Sequence, residues 1–327
     1  MKAKSVILVL SSVGLLMGVL FGGLTAYAKE TYVLDVAACE NPFWIDARQT
    51  FDAIEGVYPV DTKVGGTLSV DVGSQIANMD TYIAEEVDGI IISPIEGASL
   101  ADAINRAVEA GIPVVTWLND SVGSKRLSFV TSPFEESTEA GGEYIADLLG
   151  YKGKCVISLA LVGHEEQQGR AQGYKNIINK YPGMELVAVI EDHYDERTGA
   201  NLLKGVLTKH PDVKAIFGCN ARSGKGAQIA VQEMGYKLGE IKIAAFDYAE
   251  DTLDGIRDGW IQCSHAQRSA YQVLHCFQLL YAYNHGLLYP QKGKWKEYGV
   301  PSAPVVEVVN ITLIDPENYK AFYRVKD

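Results

Sequence analysis

The stretch DGIIISPIEGASLADAINRAVEAGIPVVTW, residues 88–117, decides the fold. Gly89–Ser93 is a short apolar run ending at a Ser-Pro turn signal. Leu100–Ala110 repeats apolar residues at helical spacing, and Ile112–Trp117 is a second β-rich run. A strand, a helix and a strand in this order form a β-α-β unit. The apolar runs are continuous rather than alternating, which suits parallel strands covered by helices on both faces.

The same alternation extends in both directions. Upstream, Tyr32–Ala38 reads as a strand, Phe43–Glu55 as a helix, Thr67–Val72 as a strand and Ser74–Glu86 as a helix. Downstream the pattern restarts. Helices are expected over 135–149, 167–181, 198–209, 226–234, 252–258 and 270–283, and strands over 155–161, 186–191, 213–219, 241–246 and 261–264. A Lys/Gly/Pro-rich loop spans 288–304, and 305–314 reads as one last strand. One sheet would need about ten parallel strands, an unusual size. The expected fold is α/β, with two similar parallel-sheet lobes.

The first residues read as an export signal. Lys2 and Lys4 precede an apolar stretch from Val6 to Leu24, which ends in Ala26-Tyr27-Ala28, a small-x-small cleavage pattern. Residues 1–28 are therefore expected to be a signal peptide, with no cysteine at the cleavage point for a lipid anchor, and the mature chain to reside in the periplasm. Removing that segment takes two lysines from a chain whose formal net charge is already −12. So acidic a protein repels nucleic acid and anionic membranes, and neither is expected as a partner. The five cysteines, at 39, 155, 219, 263 and 276, sit mostly among apolar neighbours and show no C-x-x-C spacing. They read as small core residues, with one disulfide as the alternative in an oxidising compartment.

Ligands of open parallel sheets bind at the carboxyl ends of the strands. Inspecting those ends gives a consistent set. Asn41, Phe43 and Trp44 follow the first strand, an amide beside two flat apolar faces, which suits the C–H face and hydroxyls of a sugar ring. Ser93 follows the third strand, and Asn119 and Asp120 the fourth. In the second half Arg170, Tyr194, Asn220, Asp247 and Gln267 stand at or just beyond strand ends. Each alone is ordinary helix capping or turn chemistry; their recurrence at strand after strand is the signal. A carboxylate such as Asp247 at the end of an apolar strand is costly unless something donates to it, and sugar hydroxyls donate.

These residues give the chain a resemblance to the type I periplasmic binding proteins, in the ribose-, galactose- and related sugar-binding branch. The marks are Asn41-Pro42-Phe43-Trp44, Asp88–Pro94, Ala110–Thr116, Arg170-x-x-Gly173-Tyr174, Pro211–Phe217, Phe246-Asp247 and Gln267, in order and over nearly the whole mature chain. The resemblance implies two lobes joined by a three-crossing hinge that close on a ligand. It implies crossings near 130–133, near 264–267 and within 302–311, hence a first lobe of 29–131 plus 267–301 and a second of 132–266 plus 302–327. It implies ligand contacts at the positions matching Asn41, Phe43, Trp44, Ser93, Asn119, Arg170, Tyr194, Asn220, Asp247 and Gln267, with Asp120 added because the contact after the fourth strand falls within one residue.

The sequence departs from that family where Leu118-Asn119-Asp120 replaces the usual Asp-Arg or Asp-Ser-Asp, where Ala221 rather than Asp follows Asn220, and where Ala37 replaces a hydroxyl residue. These losses widen the expected ligand from a common sugar to a deoxy sugar, a polyol, a furanosyl compound or another small polar ligand. No G-x-S-x-G, H-E-x-x-H or EF-hand pattern is present, and Ser223-Gly-Lys-Gly226 lacks the spacing of a phosphate loop. The six histidines form no metal-ligand pattern. The expectation is a monomeric binding protein without enzymatic activity, cofactor or metal. Its partner is the permease of an ABC transporter or, alternatively, a membrane sensor that reads the closed form.

Overall fold

The computed structural model describes residues 29–37, 39, 42–289, 297 and 301–324. The expected signal peptide lies outside the described residues. The first half runs β1 (Glu30–Val36), α1 (Ile45–Ala53), β2 (Val60–Gly66), α2 (Val72–Ala84), β3 (Gly89–Ile92), α3 (Gly97–Glu109), β4 (Val114–Trp117) and β5 (Ser128–Thr131). The second runs α4 (Phe134–Leu148), β6 (Lys152–Leu159), α5 (Glu165–Lys180), β7 (Gly183–Glu191), α6 (Glu196–Lys209), β8 (Val213–Gly218), α7 (Ser223–Glu233), β9 (Lys242–Ala244), α8 (Glu250–Arg257) and β10 (Ser264–Ala266). The chain ends with α9 (Ser269–Asn284), β11 (Val306–Val308) and β12 (Thr312–Ile314).

The strands form two lobes. One sheet has the order β11-β5-β4-β3-β1-β2; the other is β7-β6-β8-β9, and β10 pairs with β12 beside it. All pairs within the two larger sheets are parallel. Every residue of β3 and β4 is buried, because helices cover both faces. The first lobe has two apolar clusters, one holding Tyr32, Phe51, Trp117 and Phe277, the other Met79, Ile90, Ile92 and Ile104. The second lobe repeats the plan, with Leu203, Ile216 and Ile243 in one cluster and Tyr174, Phe217 and Ile157 in the other.

The chain passes between lobes after β5, between β10 and α9, and between β11 and β12. The boundary drawn at residue 302 moves, because Val306–Val308 hydrogen-bonds to Phe129–Thr131 in the first sheet. Thr312–Ile314 pairs antiparallel with Ser264–Ala266. The single strand expected over 305–314 is thus two strands, since one segment cannot serve sheets in different lobes. A second difference concerns the strand expected over 67–72, which lies at Val60–Gly66 instead. Leu68 and Val70, whose alternation suggests a strand, are exposed. All five cysteines are unpaired; Cys155, Cys219 and Cys263 share one core cluster, and burial pushes the Cys155 thiol up to about 12.

One glycine explains a motif. A Cβ on Gly173 would lie 2.2 Å from the Glu135 carbonyl oxygen and 2.2 Å from Thr138 Oγ1. Helices α4 and α5 cross there, and the Thr138 hydroxyl donates to the Arg170 carbonyl at 2.8 Å. The Arg170-x-x-Gly173 spacing therefore lets α5 approach α4 closely enough to hold Arg170 in place. Gly173→Ala is expected to cost about 1–3 kcal/mol, as overpacking of a tight contact does. Gly205→Ala, at an exposed position of α6 where a Cβ would meet nothing within 4 Å, is expected to be neutral or to stabilise by up to about 1 kcal/mol. Urea unfolding of the two variants checks the contrast.

Candidate ligand-binding site

A cavity of about 280 Å³ lies between the lobes at the carboxyl ends of both sheets. At about 30 Å³ per water, this is the room of roughly nine water molecules, a volume suited to a ligand of monosaccharide size. From the first lobe it is lined by Ala37, Phe43, Trp44, Val70, Ser93, Pro94, Ile95, Leu118 and Asn119. The second lobe contributes His164, Glu166, Arg170, His193, Tyr194, Asn220, Ala221 and Asp247, with Gln267 at the hinge.

Backbone strain marks the same place. Six described non-glycine residues have left-handed φ: Glu86, Leu118, Tyr151, His193, Tyr194 and Asp247. Four of them line the cavity. Such conformations cost of order 1–3 kcal/mol each and gather where function needs a side chain aimed. Unpaired polar atoms gather there too. Eight buried side-chain N or O atoms lack a hydrogen-bond partner among the described residues, and Trp44 Nε1, Arg170 Nε, Asp247 Oδ1 and Gln267 Oε1 belong to lining residues. Buried polar groups are nearly always bonded, so this concentration makes the cavity the candidate ligand site.

The first-lobe wall is aromatic. A 3-10 turn over Pro42–Trp44 follows β1. Phe43 and Trp44 meet edge to face at 4.8 Å, and Trp44 meets Trp117 at 5.5 Å. Trp117 is held by its indole N–H donating to Gln272 Oε1 at 3.0 Å, and the Gln272 amide donates to Ser132 Oγ at 2.8 Å in the hinge. Gln75 fixes the loop after β3: its amide donates to the Ser93 carbonyl and to Asp35 Oδ1, and its oxygen accepts from Ile95 N–H. Asp35 also accepts from Asn78 and Tyr82. Burial raises its carboxyl above the usual range against those three donors.

The second-lobe wall carries the charge. The Arg170 guanidinium lies 3.9 Å from the Phe246 ring centroid and donates to the Cys219 carbonyl at 2.9 Å and to Glu166 at 3.3 Å. The Tyr194 hydroxyl donates to Glu166 at 3.3 Å and sits 3.0 Å from His164 Nδ1. Arg170 is thus already engaged, and it supplies an oriented edge rather than a free clamp for a carboxylate. The Asn220 amide donates to Asp192, and its oxygen accepts from the N–H groups of Arg222 and Ser223. Asp192 further accepts from Ser158, Ser223 and Tyr194 N–H, and so ties three strand ends together.

Of the residues expected from sequence, Phe43, Trp44, Ser93, Asn119, Arg170, Tyr194, Asn220, Asp247 and Gln267 are brought together around the cavity. Asn41 lies outside the described residues. Asp120 is the correction. It turns away into an ion pair with Arg126, and it accepts from Thr116 Oγ1 and Ser121 N–H. Burial opposes its charge, but Arg126 outweighs burial and holds its carboxyl below the usual range. Leu118 occupies the place beside Asn119 instead. Glu166, His164 and His193 were not singled out, although Glu166 four residues before Arg170 on one helix is a pairing signal.

Residues 33–286 match the periplasmic binding protein domain family. The chain belongs to that family. It is 25% identical over 247 residues to the ribose import binding protein of Escherichia coli, covering 74% of this chain and 80% of that one. An arabinose-binding protein from Geobacillus stearothermophilus, of solved structure, is 30% identical with a TM-score of 0.80, covering 90% of this chain and 100% of the other. A sugar-binding protein of a sugar ABC transporter from Bacillus halodurans is 27% identical with a TM-score of 0.82, at the same coverages. The relatives named here are binding proteins.

Outside the cavity Asp46 joins the lobes directly. Asp46, in the first turn of α1, accepts from the Tyr248 hydroxyl at 2.6 Å and from Arg324 Nε at 2.7 Å, both of the second lobe. Asp46 and Arg324 are partly shielded from solvent. Asp46→Ala is expected to weaken ligand binding by about 0.5–1.5 kcal/mol, the net worth of such bonds, through faster release rather than slower capture. Stopped-flow measurement of both rates checks this.

Asp247 is expected to make binding sensitive to pH. Burial pushes its carboxyl up to about 7; Arg170 opposes the rise and Glu166 adds to it. A ligand that donates hydroxyls to the carboxylate favours the ionised form, lowers this value and expels a proton. Affinity is therefore expected to rise with pH and level off above 7, with the dissociation constant about tenfold larger at pH 6 than at pH 8. Asp247→Asn is expected to flatten the profile. Calorimetry across this range decides the matter, and affinity that rises toward low pH contradicts the assignment.

Proposed function

We propose that this chain is an exported receptor of the periplasm that captures a small, neutral, hydroxylated ligand of sugar or polyol type between its lobes and delivers it to the permease of an ABC importer. The observation that carries the ligand class is the pairing of two buried oxygen acceptors, Asp247 Oδ1 and Gln267 Oε1, on residues lining the cavity with the aromatic wall of Phe43 and Trp44. Hydroxyl donors satisfy the acceptors, and the C–H face of a ring lies against the aromatics. An anionic ligand fits poorly, because the Arg170 charge is already matched by Glu166 and Asp247 adds negative charge beside it.

The relatives support the importer role: one is a ribose import binding protein, another an arabinose-binding protein. Residues 1–28 support export through a cleaved signal peptide. Action is by binding alone. Ligand touches both walls only in the closed arrangement, shifts the balance of states toward it, and so presents a closed surface to the permease. Asn41, two residues before Phe43 in the sequence, is proposed as a further contact.

A thermal-unfolding screen of the mature protein against pentoses, hexoses and polyols tests the reading. The cognate ligand at a hundredfold its dissociation constant is expected to add about 2.7 kcal/mol of apparent stability. Turnover of the bound compound, or no stabilisation by any hydroxylated compound, contradicts it.

A further inference from the structure

The cavity is two-sided in chemistry. Every charged or titratable side chain among its described lining residues, Glu166, Arg170, Asp247, His164, His193 and Tyr194, comes from the second lobe. On the first-lobe wall the described polar groups are the side chains of Ser93 and Asn119 and the indole N–H of Trp44, all neutral, and the rest is apolar or aromatic. Leu118 lines that wall; it is 4% exposed and is continuous with the apolar cluster of Tyr32, Phe51, Trp117 and Phe277.

Leu118 is held there by its backbone. Its φ is 65°, its N–H donates to the Val130 carbonyl at 3.0 Å, and the next N–H, of Asn119, reaches back to the Trp117 carbonyl at 2.8 Å. That is a three-residue turn with a left-handed central residue, a rare and strained form. A leucine gains nothing locally from this conformation; Asn or Gly would suit it better. The carboxylate two residues on cannot substitute for it. Asp120 is bound by Arg126, and both side chains are about nine-tenths buried. Arg126 is in turn tied to the Val305 carbonyl. Turning Asp120 to the cavity would strand a buried cation.

We infer that the ligand presents a deoxygenated edge, a methyl or methylene group in place of a carbinol, to Leu118, and that Leu118 is the residue that selects it. This rests on the reading of the cavity as a site for a hydroxylated ligand. The hydroxyl-bearing edge faces Asp247 and Gln267 of the opposite side. A hydroxyl buried against Leu118 would lose its water and gain no partner, whereas a methyl there is removed from water on both surfaces.

The experiment is calorimetry of the mature protein with matched pairs that differ by one oxygen: D-fucose and D-galactose, L-rhamnose and L-mannose, 2-deoxy-D-ribose and D-ribose. In at least one pair the deoxygenated member is expected to bind about tenfold tighter or more, the scale on which a pocket discriminates one buried group. Leu118→Asn, which a left-handed backbone accepts, is expected to erase or reverse that ratio, with thermal unfolding confirming that the variant is folded. Binding of the oxygenated parents without preference for the deoxygenated partner in any pair overturns the inference and leaves the proposed function standing. A preference that Leu118→Asn leaves unchanged removes Leu118 as its source. If no member of the panel binds, the inference is overturned, while the proposed function is decided by the wider screen of pentoses, hexoses and polyols.

Discussion

The constraint on which the rest depends is that both larger sheets are wholly parallel. Parallel strands deliver all their carboxyl ends to one edge, where the helix that follows each strand begins. Two such edges face one another across the three interlobe passages, so side chains more than two hundred residues apart in sequence share one cavity. The price of aiming them is visible in the backbone at Leu118, His193, Tyr194 and Asp247. Each strained residue is tied down by its backbone N–H, which donates to the Val130 carbonyl from Leu118, to the Ala160 carbonyl from His193, to Asp192 from Tyr194 and to the His265 carbonyl from Asp247.

The two walls divide the work. The second lobe holds its charges in fixed geometry: Arg170 is stacked on Phe246, bonded to a carbonyl and paired with Glu166. Such preorganisation means that a ligand spends little free energy arranging the site. What remains unsatisfied is chiefly the Asp247 carboxyl, which the proposed function assigns to the ligand. The first lobe adds apolar and aromatic surface, and Asp46 adds a latch that acts only when the lobes are together. Neither wall alone offers a complete set of partners, which is the physical basis of the proposed closure on binding.

Much of this was legible in the sequence. The β-α-β pattern of residues 88–117 was clear because buried parallel strands are continuously apolar, and the strand-end rule led directly to Phe43, Trp44, Asn119, Arg170, Asp247 and Gln267. What was hidden has physical causes. Asp120 was read as a contact because sequence gives no view of Arg126, six residues on, folding back to claim it. Asn220 lines the cavity, but its amide is largely occupied by Asp192, a partnership set by strand order. The strand at Val60–Gly66 was missed because its end carries Gly65 and Gly66. A Cβ on Gly65 would collide with the Tyr82 hydroxyl, so glycine there records a close approach and not a loop. The split between Val306–Val308 and Thr312–Ile314 depends on which lobe each half joins, which local pattern does not encode.

The central claim is that the ligand drives closure by touching both walls at once. Small-angle X-ray scattering of the mature protein, with and without the ligand found by the stability screen, tests it most directly. The account predicts a radius of gyration that falls as ligand is added, in proportion to calorimetric occupancy, and that saturates with it. A scattering profile unchanged at full occupancy would mean that binding and closure are not coupled, and would contradict the account.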